Sequence, residues 1–385
     1  MIPYGRQDIT DDDVAAVIAT LRSDWLTQGP AIPRFEQALA THCGARHAVA
    51  MSNATAALHV ACMALDLGAG DRLWTSPNTF VASANCGLYC GATVDFVDID
   101  ARSCNMSVAA LEAKLAAAER EGTLPKVVVP VHFAGQSCDM RAIHALGQRY
   151  GFRIVEDASH AVGGRYLGEP VGNCRWSDIA VFSFHPVKIV TTAEGGAALT
   201  NDAALAARME RLRSHGITRD AALMEAPPDG PWDYEQIELG YNYRLTDLQA
   251  ALGLSQLARL EAYVERRHAL ARRYDAALAD LPLVTPWQSP DAHSALHLYP
   301  VQIDAQRSRL SRREAFDGLR AAGIGVNVHY IPVHTQPHYR RLGFRPGQFP
   351  AAEAFYAQAI SLPMFATLAE AQQDEVIAAL RRLLG

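Results

Sequence analysis

The sequence predicts an α/β protein, with a large domain on a mostly parallel sheet covered by helices on both faces and a smaller α+β domain after it. Three observations carry this. From residue 47 to residue 200, short β-rich runs alternate with helical patterns, which is the rhythm of successive βαβ units. Ser52-Asn53, Asp157 and Ser183 stand at the ends of three of those runs, where ligands gather in such sheets. A Pro-, Gly- and Asp-rich stretch, MEAPPDGPWDY (224–234), then precedes a long helical run over 246–278. The expected boundary falls between 1–245 and 246–385, with the first ~12 residues free to pack on the small domain.

Taken in order, Thr10 with Asp13 reads as a capping box. It opens a helix with Val14, Val17, Ile18 and Leu21 on one face. A second helix spans about 32–42. Strand 47–51 leads to helix 55–65, strand 71–76 to helix 79–90, and strand 93–98 to a helix carrying Lys114. Strand 127–133, helix 140–151 and strands 153–158, 178–184 and 196–200 complete the large domain. The tail offers apolar runs at 297–303 and 326–333 and two terminal helices.

The net charge of −6 and pI near 6.2 exclude a broad basic surface for nucleic acid or anionic membrane. An anionic substrate would have to meet local arginines. No apolar run approaches the ~20 residues of a membrane span, and the N-terminus lacks the pattern of a signal peptide. Seven cysteines, an odd number without a CxxC pair, read as reduced thiols of a cytoplasmic protein. Cys86 and Cys90, one helical turn apart, read as a buried structural pair and not as metal ligands. His334 and His338 are separated by Pro337, which argues against a shared helical face, so no metal site is expected.

Lysine usage is more telling. Of 35 basic residues only Lys114, Lys126 and Lys188 are lysines. Lys114 lies on an amphipathic helix and Lys126 opens a strand after a loop, so both read as solvated. Lys188 sits in AVFSFHPVKIVTTAEGGAALT, where burying an ammonium is costly. A desolvated lysine can form a Schiff base and an arginine cannot; a lysine snorkelling from a strand end is an equal reading of this residue alone.

A Schiff-base lysine suggests pyridoxal phosphate (PLP), which needs an acid beside its pyridine nitrogen, an anion cradle and a flat wall. Asp157 ends the apolar strand RIVED and suits the nitrogen, with a helix N-cap as its alternative. Glu156 alternates to the other face. Ala54 and Thr55 open a helix of small residues after a strand, a phosphate cradle made of backbone N–H groups, and Ser183 can add a hydroxyl. Phe80 can cover the ring face or belong to the core. No GxSxG elbow, GxGxxG or P-loop competes with this reading.

The run SFHPVKIVTTAEGGA resembles the active-site segment of the DegT/DnrJ/StrS nucleotide-sugar aminotransferases. LTQGP (26–30), SNATAAL, SPNTFVASAN, IVEDASHA, GYNYRLTDLQAALGLSQL and HYIPVHTQPHYR resemble other motifs of that family, in order and over essentially the whole chain. The resemblance implies the aspartate-aminotransferase (type I) PLP fold, Lys188 as the Schiff-base lysine and Asp157 as the pyridine partner. It further implies Phe80 on the ring, Ala54, Thr55 and Ser183 at the phosphate, and Asn242 reaching that phosphate from the neighbouring subunit of a homodimer. A lysine at 188, where some members have histidine and act as dehydrases, implies transamination.

HPVK, TTAEGG and HYIPVHTQPHYRRLGF most resemble the pseudaminic acid branch, which implies L-glutamate as donor and C4 of UDP-4-keto-6-deoxy-L-AltNAc as acceptor. A dTDP- or GDP-linked 4-keto sugar, or a PLP dehydrase, are the alternatives. His160 stands where most of the family has glutamine; it implies a hydrogen bond to the cofactor's ring edge, or a satisfied core histidine. His329 and Tyr330 are candidates for sugar contact or domain-interface packing, with Tyr4 and Gln28 behind them. Arg244 either fixes the loop of Asn242 or pairs with a substrate acid.

Overall fold

A computed structural model describes residues 1–385. Its large sheet has seven strands: β1 (His47–Met51), β2 (Arg72–Thr75), β3 (Thr93–Phe96), β4 (Val127–Val129), β5 (Arg153–Asp157), β6 (Ile179–Ser183) and β7 (Gly196–Thr200). They lie in the order β1-β7-β6-β5-β4-β2-β3. Four neighbouring pairs from β6 to β3 are parallel, whereas β7 runs antiparallel to both β1 and β6. The expectation of a mostly parallel sheet therefore holds with one reversed strand. No helix separates β6 from β7, so the chain turns back directly, as only antiparallel neighbours can.

Helices α1 (Asp11–Leu21), α2 (Ala31–Cys43), α3 (Ala54–Ala64), α4 (Ala82–Tyr89), α5 (Val108–Glu121), α6 (Met140–Tyr150) and α7 (Ala203–Leu212) accompany this sheet. Side-chain alternation divides the core. Val127, Val129, Val155 and Val181 join α3 and α4 in one cluster, while Ala180 and Phe182 face α2 and Val128 and Ile154 face α5 and α6. Asp157 and Ser183 have the parity of Val155 and Val181, so strand period alone turns both toward the α3–α4 side. Glu156 goes the other way and pairs with buried His132 at 2.6 Å.

Several expected boundaries shift. Strand β4 stops at Val129 because Pro130 has no N–H to donate, although Val131 still bridges to Asp157. The helix expected from 79 begins at Ala82, which leaves Phe80 in the preceding turn. The long run 246–278 is two helices, α8 (Asp247–Leu257) and α9 (Leu260–Leu278), interrupted at Ala258-Arg259. On α1, the residue turned inward is Asp13, bonded to Arg259 at 2.6 Å and Gln256 at 2.7 Å. The apolar side of α1, with Val14, Ile18 and Leu21, is exposed, as is Trp25 after it.

Lys114 is also not the solvated residue its helix pattern suggests. Its ammonium donates to the Phe96 carbonyl at 2.6 Å, pairs with Asp95 at 2.6 Å and lies over Trp74, because α5 crosses the edge of the sheet. Desolvation there lowers its pKa, with Asp95 opposing. Lys126 is tied at a loop, to the Asp66 carbonyl and the Asp71 carboxylate.

After α9, a three-stranded antiparallel sheet (Leu283–Val284, Tyr299–Ile303, Ala359–Leu362) packs against α9 and the terminal helix (Glu370–Leu384) around its own apolar cluster, which also takes in Ile2. Buried Arg267 of α9 clamps this part of the chain, donating to the carbonyls of Leu296, His297 and Met364 at 3.0–3.2 Å. Arg267→Ala leaves those acceptors unpaired. It is expected to lower unfolding free energy by about 3 kcal/mol, read as an earlier denaturant midpoint of the chain.

Candidate active site

The C-terminal ends of β1, β5 and β6 open into one cavity of about 700 Å³. Lys188, Asp157, Ser183, Ala54, Thr55, Phe80, His160, His329, Tyr330 and Tyr4 all line it. Gln28 and Asn242 do not: Gln28 sits exposed in the turn before α2, and Asn242 is exposed after residues 235–236. Arg244 bridges through its backbone to Met51, while Ser52 N–H donates to the Tyr243 carbonyl at 2.7 Å. The segment around Asn242 is thereby fastened to the end of β1.

The anion cradle is a consequence of local sequence. Asn53 caps α3, its side chain accepting from Ala56 N–H at 2.8 Å. The preceding amides, of Ala54 and Thr55, have no partner within the chain, and both residues face the cavity. Free amides at a helix N-terminus suit a phosphate group. The absence of a side chain at 196 is what permits the cradle: a Cβ there would lie 2.4 Å from Ala54 N and 2.5 Å from Asn53 C. Ser183, paired in register with Gly196, presents its hydroxyl beside the same cradle.

Asp157 is held from two sides. Ser83 Oγ of α4 donates to one carboxylate oxygen at 2.5 Å and Ser159 N–H to the other at 3.1 Å. Lys188 has no carboxylate within ion-pair distance. Solvent reaches it through the cavity mouth, yet its surroundings desolvate the ammonium and push its pKa down to about 8, with Asp157 acting in the opposite sense. Only the neutral amine attacks an aldehyde. The rate at which cofactor-free protein takes up PLP is therefore expected to rise with pH and level off above about 8, where an unperturbed lysine would keep rising toward ~10.4. Stopped-flow absorbance across pH checks this.

A wall of imidazoles faces the lysine. His160 Nε2 lies 3.0 Å from the Tyr330 hydroxyl, and the His297 ring centroid is 4.5 Å from that of His160. His329 Nδ1 meets Ser361 Oγ at 2.8 Å. Burial, with Lys188 nearby, holds all three histidines below their ordinary range, His329 at about 4. They stay neutral at physiological pH, and Tyr330 stays protonated. Buried Nδ1 of His160 and of His297 have no partner.

His297, His59, Tyr89, Tyr243 and Glu194 also line the cavity and were not anticipated. The signal for His297 was a lone histidine opening the apolar run HLYPVQI; the others reach the site through packing between helices and loops distant in sequence. No arginine lines the cavity, contrary to the expectation that local arginines would meet an anionic substrate.

A free amine, a fixed carboxylate, unpartnered helix-end amides and an aromatic cover are the donor set PLP requires, and the residues fit it. Comparison with known proteins agrees. Residues 7–381 match the DegT/DnrJ/EryC1/StrS aminotransferase family. The chain is 39% identical over its whole length to the spore coat polysaccharide biosynthesis protein SpsC of Bacillus subtilis, covering 97% of that protein. Among solved structures, PseC of Helicobacter pylori, an aminotransferase involved in the biosynthesis of pseudoaminic acid, superposes with a TM-score of 0.90 at 31% identity, covering 100% of this chain and 99% of that one. The PLP form of a putative sugar aminotransferase from Streptococcus pneumoniae gives 0.88 at 30% identity, with 100% of both chains covered. This chain belongs to the DegT/DnrJ/EryC1/StrS family of PLP-dependent sugar aminotransferases.

Proposed function

We propose that the protein transfers an amino group from L-glutamate to C4 of a UDP-linked 4-keto-6-deoxy-N-acetyl sugar, UDP-4-keto-6-deoxy-L-AltNAc, in pseudaminic acid biosynthesis. The observation that carries the reading is a desolvated lysine amine sharing one cavity with a fixed carboxylate and a free helix-end cradle. Its likeness to PseC over the full chain points to the sugar class.

In this reading Lys188 would hold the cofactor and, once displaced, its amine would carry the proton at the reacting carbon. A pKa near 8 suits both directions. Asp157, kept in place by Ser83 and Ser159, would hold a proton on the pyridine nitrogen. Ala54 and Thr55 N–H and Ser183 Oγ would take the phosphate, Phe80 would cover the ring, and His160 with Tyr330 would border the ring's hydroxyl edge. PLP supplies the electron sink that makes the substrate's C–H bond acidic. His329, Tyr330 and Tyr4 form the wall against which the sugar would lie.

The protein works as a homodimer in this reading. Asn242 is exposed and lies outside its own chain's cavity wall, and the exposed apolar side of α1 supplies a surface to bury. A cavity without arginine also needs cations from outside its own wall for a carboxylate or a diphosphate. Gln28 is exposed outside the cavity wall of its own chain, and in this reading it would meet substrate only in the assembled dimer. No helix of the chain is long and apolar enough to cross a membrane, which accords with a cytoplasmic enzyme.

The test is the visible absorbance of the holoenzyme before and after L-glutamate, followed by UDP-, dTDP- and GDP-linked 4-keto sugars in parallel. Loss of the yellow band with glutamate and its recovery with the UDP sugar are expected. Persistence of the band with glutamate would remove that donor, and recovery only with another nucleotide would move the assignment to that sugar.

A further inference from the structure

Two buried hydroxyls stand between the turn that carries Phe80 and the carboxylate of Asp157. Thr79 lies just before α4 and Ser83 in its first turn, four residues apart, at 2% and 0% exposure. Serine and threonine in such places commonly cap the helix by accepting from its first amides. Here Val81 is the N-cap of α4, and no side chain caps it. Both hydroxyls are used toward the end of β5 instead. Thr79 Oγ1 lies 2.6 Å from Ser83 Oγ, and Ser83 Oγ lies 2.5 Å from Asp157 Oδ2. Behind them the Cys86 thiol donates to the Ser83 carbonyl at 3.3 Å, while Cys90, expected to be its buried partner, stays part-exposed.

Counting hydrogens gives this chain a direction. A hydroxyl has one hydrogen to give, and an ionised carboxylate only accepts. Ser83 reaches the Phe80 carbonyl only at 3.4 Å, so its hydrogen goes to Asp157. Thr79 is then the donor in the contact with Ser83, and its side chain makes no other hydrogen bond. The order is Thr79 to Ser83 to Asp157, each bond polarising the next. Reversal, with Asp157 donating to Ser83 and Ser83 to Thr79, would leave the Thr79 hydrogen without an acceptor in the protein. Ser159 N–H meets the other carboxylate oxygen at 3.1 Å, so both oxygens of Asp157 receive hydrogens from the protein.

Thr79 also lines the cavity beside Phe80. The relay therefore starts in the segment that covers the cofactor's ring and ends on the acid beside it.

We propose that Thr79 and Ser83 are positioning residues of transamination, whose relay fixes the Asp157 carboxylate and keeps the proton it shares with the pyridine nitrogen on the nitrogen. The inference rests on Asp157 as the partner of that nitrogen. Donors on a carboxylate favour its charged form, and a proton left on the ring nitrogen strengthens the electron sink that PLP supplies.

The test is the ¹⁵N resonance of the ring nitrogen of labelled PLP bound to the enzyme, with kcat and KM for L-glutamate measured on the same preparations. Ser83→Ala should move the resonance toward the unprotonated position. It should lower kcat by about ten- to a hundredfold, the worth of one hydrogen bond to a charged group, with a much smaller change in KM. Thr79→Val keeps the shape without the hydroxyl and should act in the same direction to a smaller extent. Thr79→Ser restores the hydroxyl and should restore the resonance. A fall in kcat with the resonance unmoved in both Ser83→Ala and Thr79→Val would make the two residues merely structural and overturn the proposal. So would a Thr79→Val variant in which neither quantity changes. Asp157→Asn separates the two levels. A resonance unmoved in that variant removes Asp157 as the partner and the relay with it, whereas one moved by Asp157→Asn and not by Ser83→Ala removes the relay alone.

Discussion

Replacing Lys188 with alanine is expected to abolish turnover, lowering kcat by about 10⁴-fold or more. The side chain has two tasks in the proposed reaction, and no neighbour can take either. Lys114 and Lys126 are engaged with Asp95 and Asp71 elsewhere in the molecule. The histidines nearest the cavity floor, His160, His297 and His329, are held neutral but lack a primary amine to bind the cofactor covalently. Loss of a positioned general acid–base alone is worth roughly 10²–10⁴, and loss of covalent cofactor attachment adds to it. The variant should fold, since Lys188 makes no hydrogen bond through its amine, and an unchanged circular dichroism spectrum would confirm that. It should also bind PLP without covalent attachment, so that borohydride treatment leaves no cofactor fixed to the protein. Appreciable residual amination would remove Lys188 from its role.

Asp157→Asn is the next largest effect, expected to lower kcat by about 10²–10⁴-fold. The substitution keeps the shape that Ser83 and Ser159 grip and removes the charge. An unpaired charge opposite a buried partner costs about 3–5 kcal/mol, which at 1.36 kcal/mol per tenfold corresponds to roughly two to four decades. Apparent affinity for PLP should fall much less, because the amides of Ala54 and Thr55 remain. If the loss appeared in cofactor affinity and not in kcat, Asp157 would be an anchor of the cofactor and not its electronic partner.

Asp157 and Ser183 were legible in the sequence for the same reason. A β-strand has a period of two, so an acid ending RIVED and a serine ending IAVFS necessarily share the face of the valines before them. The scarcity of lysine then left one candidate amine. The cradle was legible from the Asn53-Ala54-Thr55 opening of α3, because capping is a local matter of a few residues. The reversed strand β7 was not, since the run GAALT has the same composition in either direction. Nor was the inward turn of Asp13: a helical apolar face reads as core, and whether it is covered depends on which face the neighbouring helix meets.

The local sequence by itself determined the strands, their alternation, the capped start of α3 and the one lysine without a surface explanation. These rest on backbone geometry and side-chain chemistry within a few residues. Tertiary structure alone decided that His297 stands behind His160, that Lys114 is drawn into the edge of the sheet, and that no arginine reaches the cavity wall. Each is a contact between segments far apart in the chain, set by how helices of particular bulk pack on the sheet, and no local pattern encodes it.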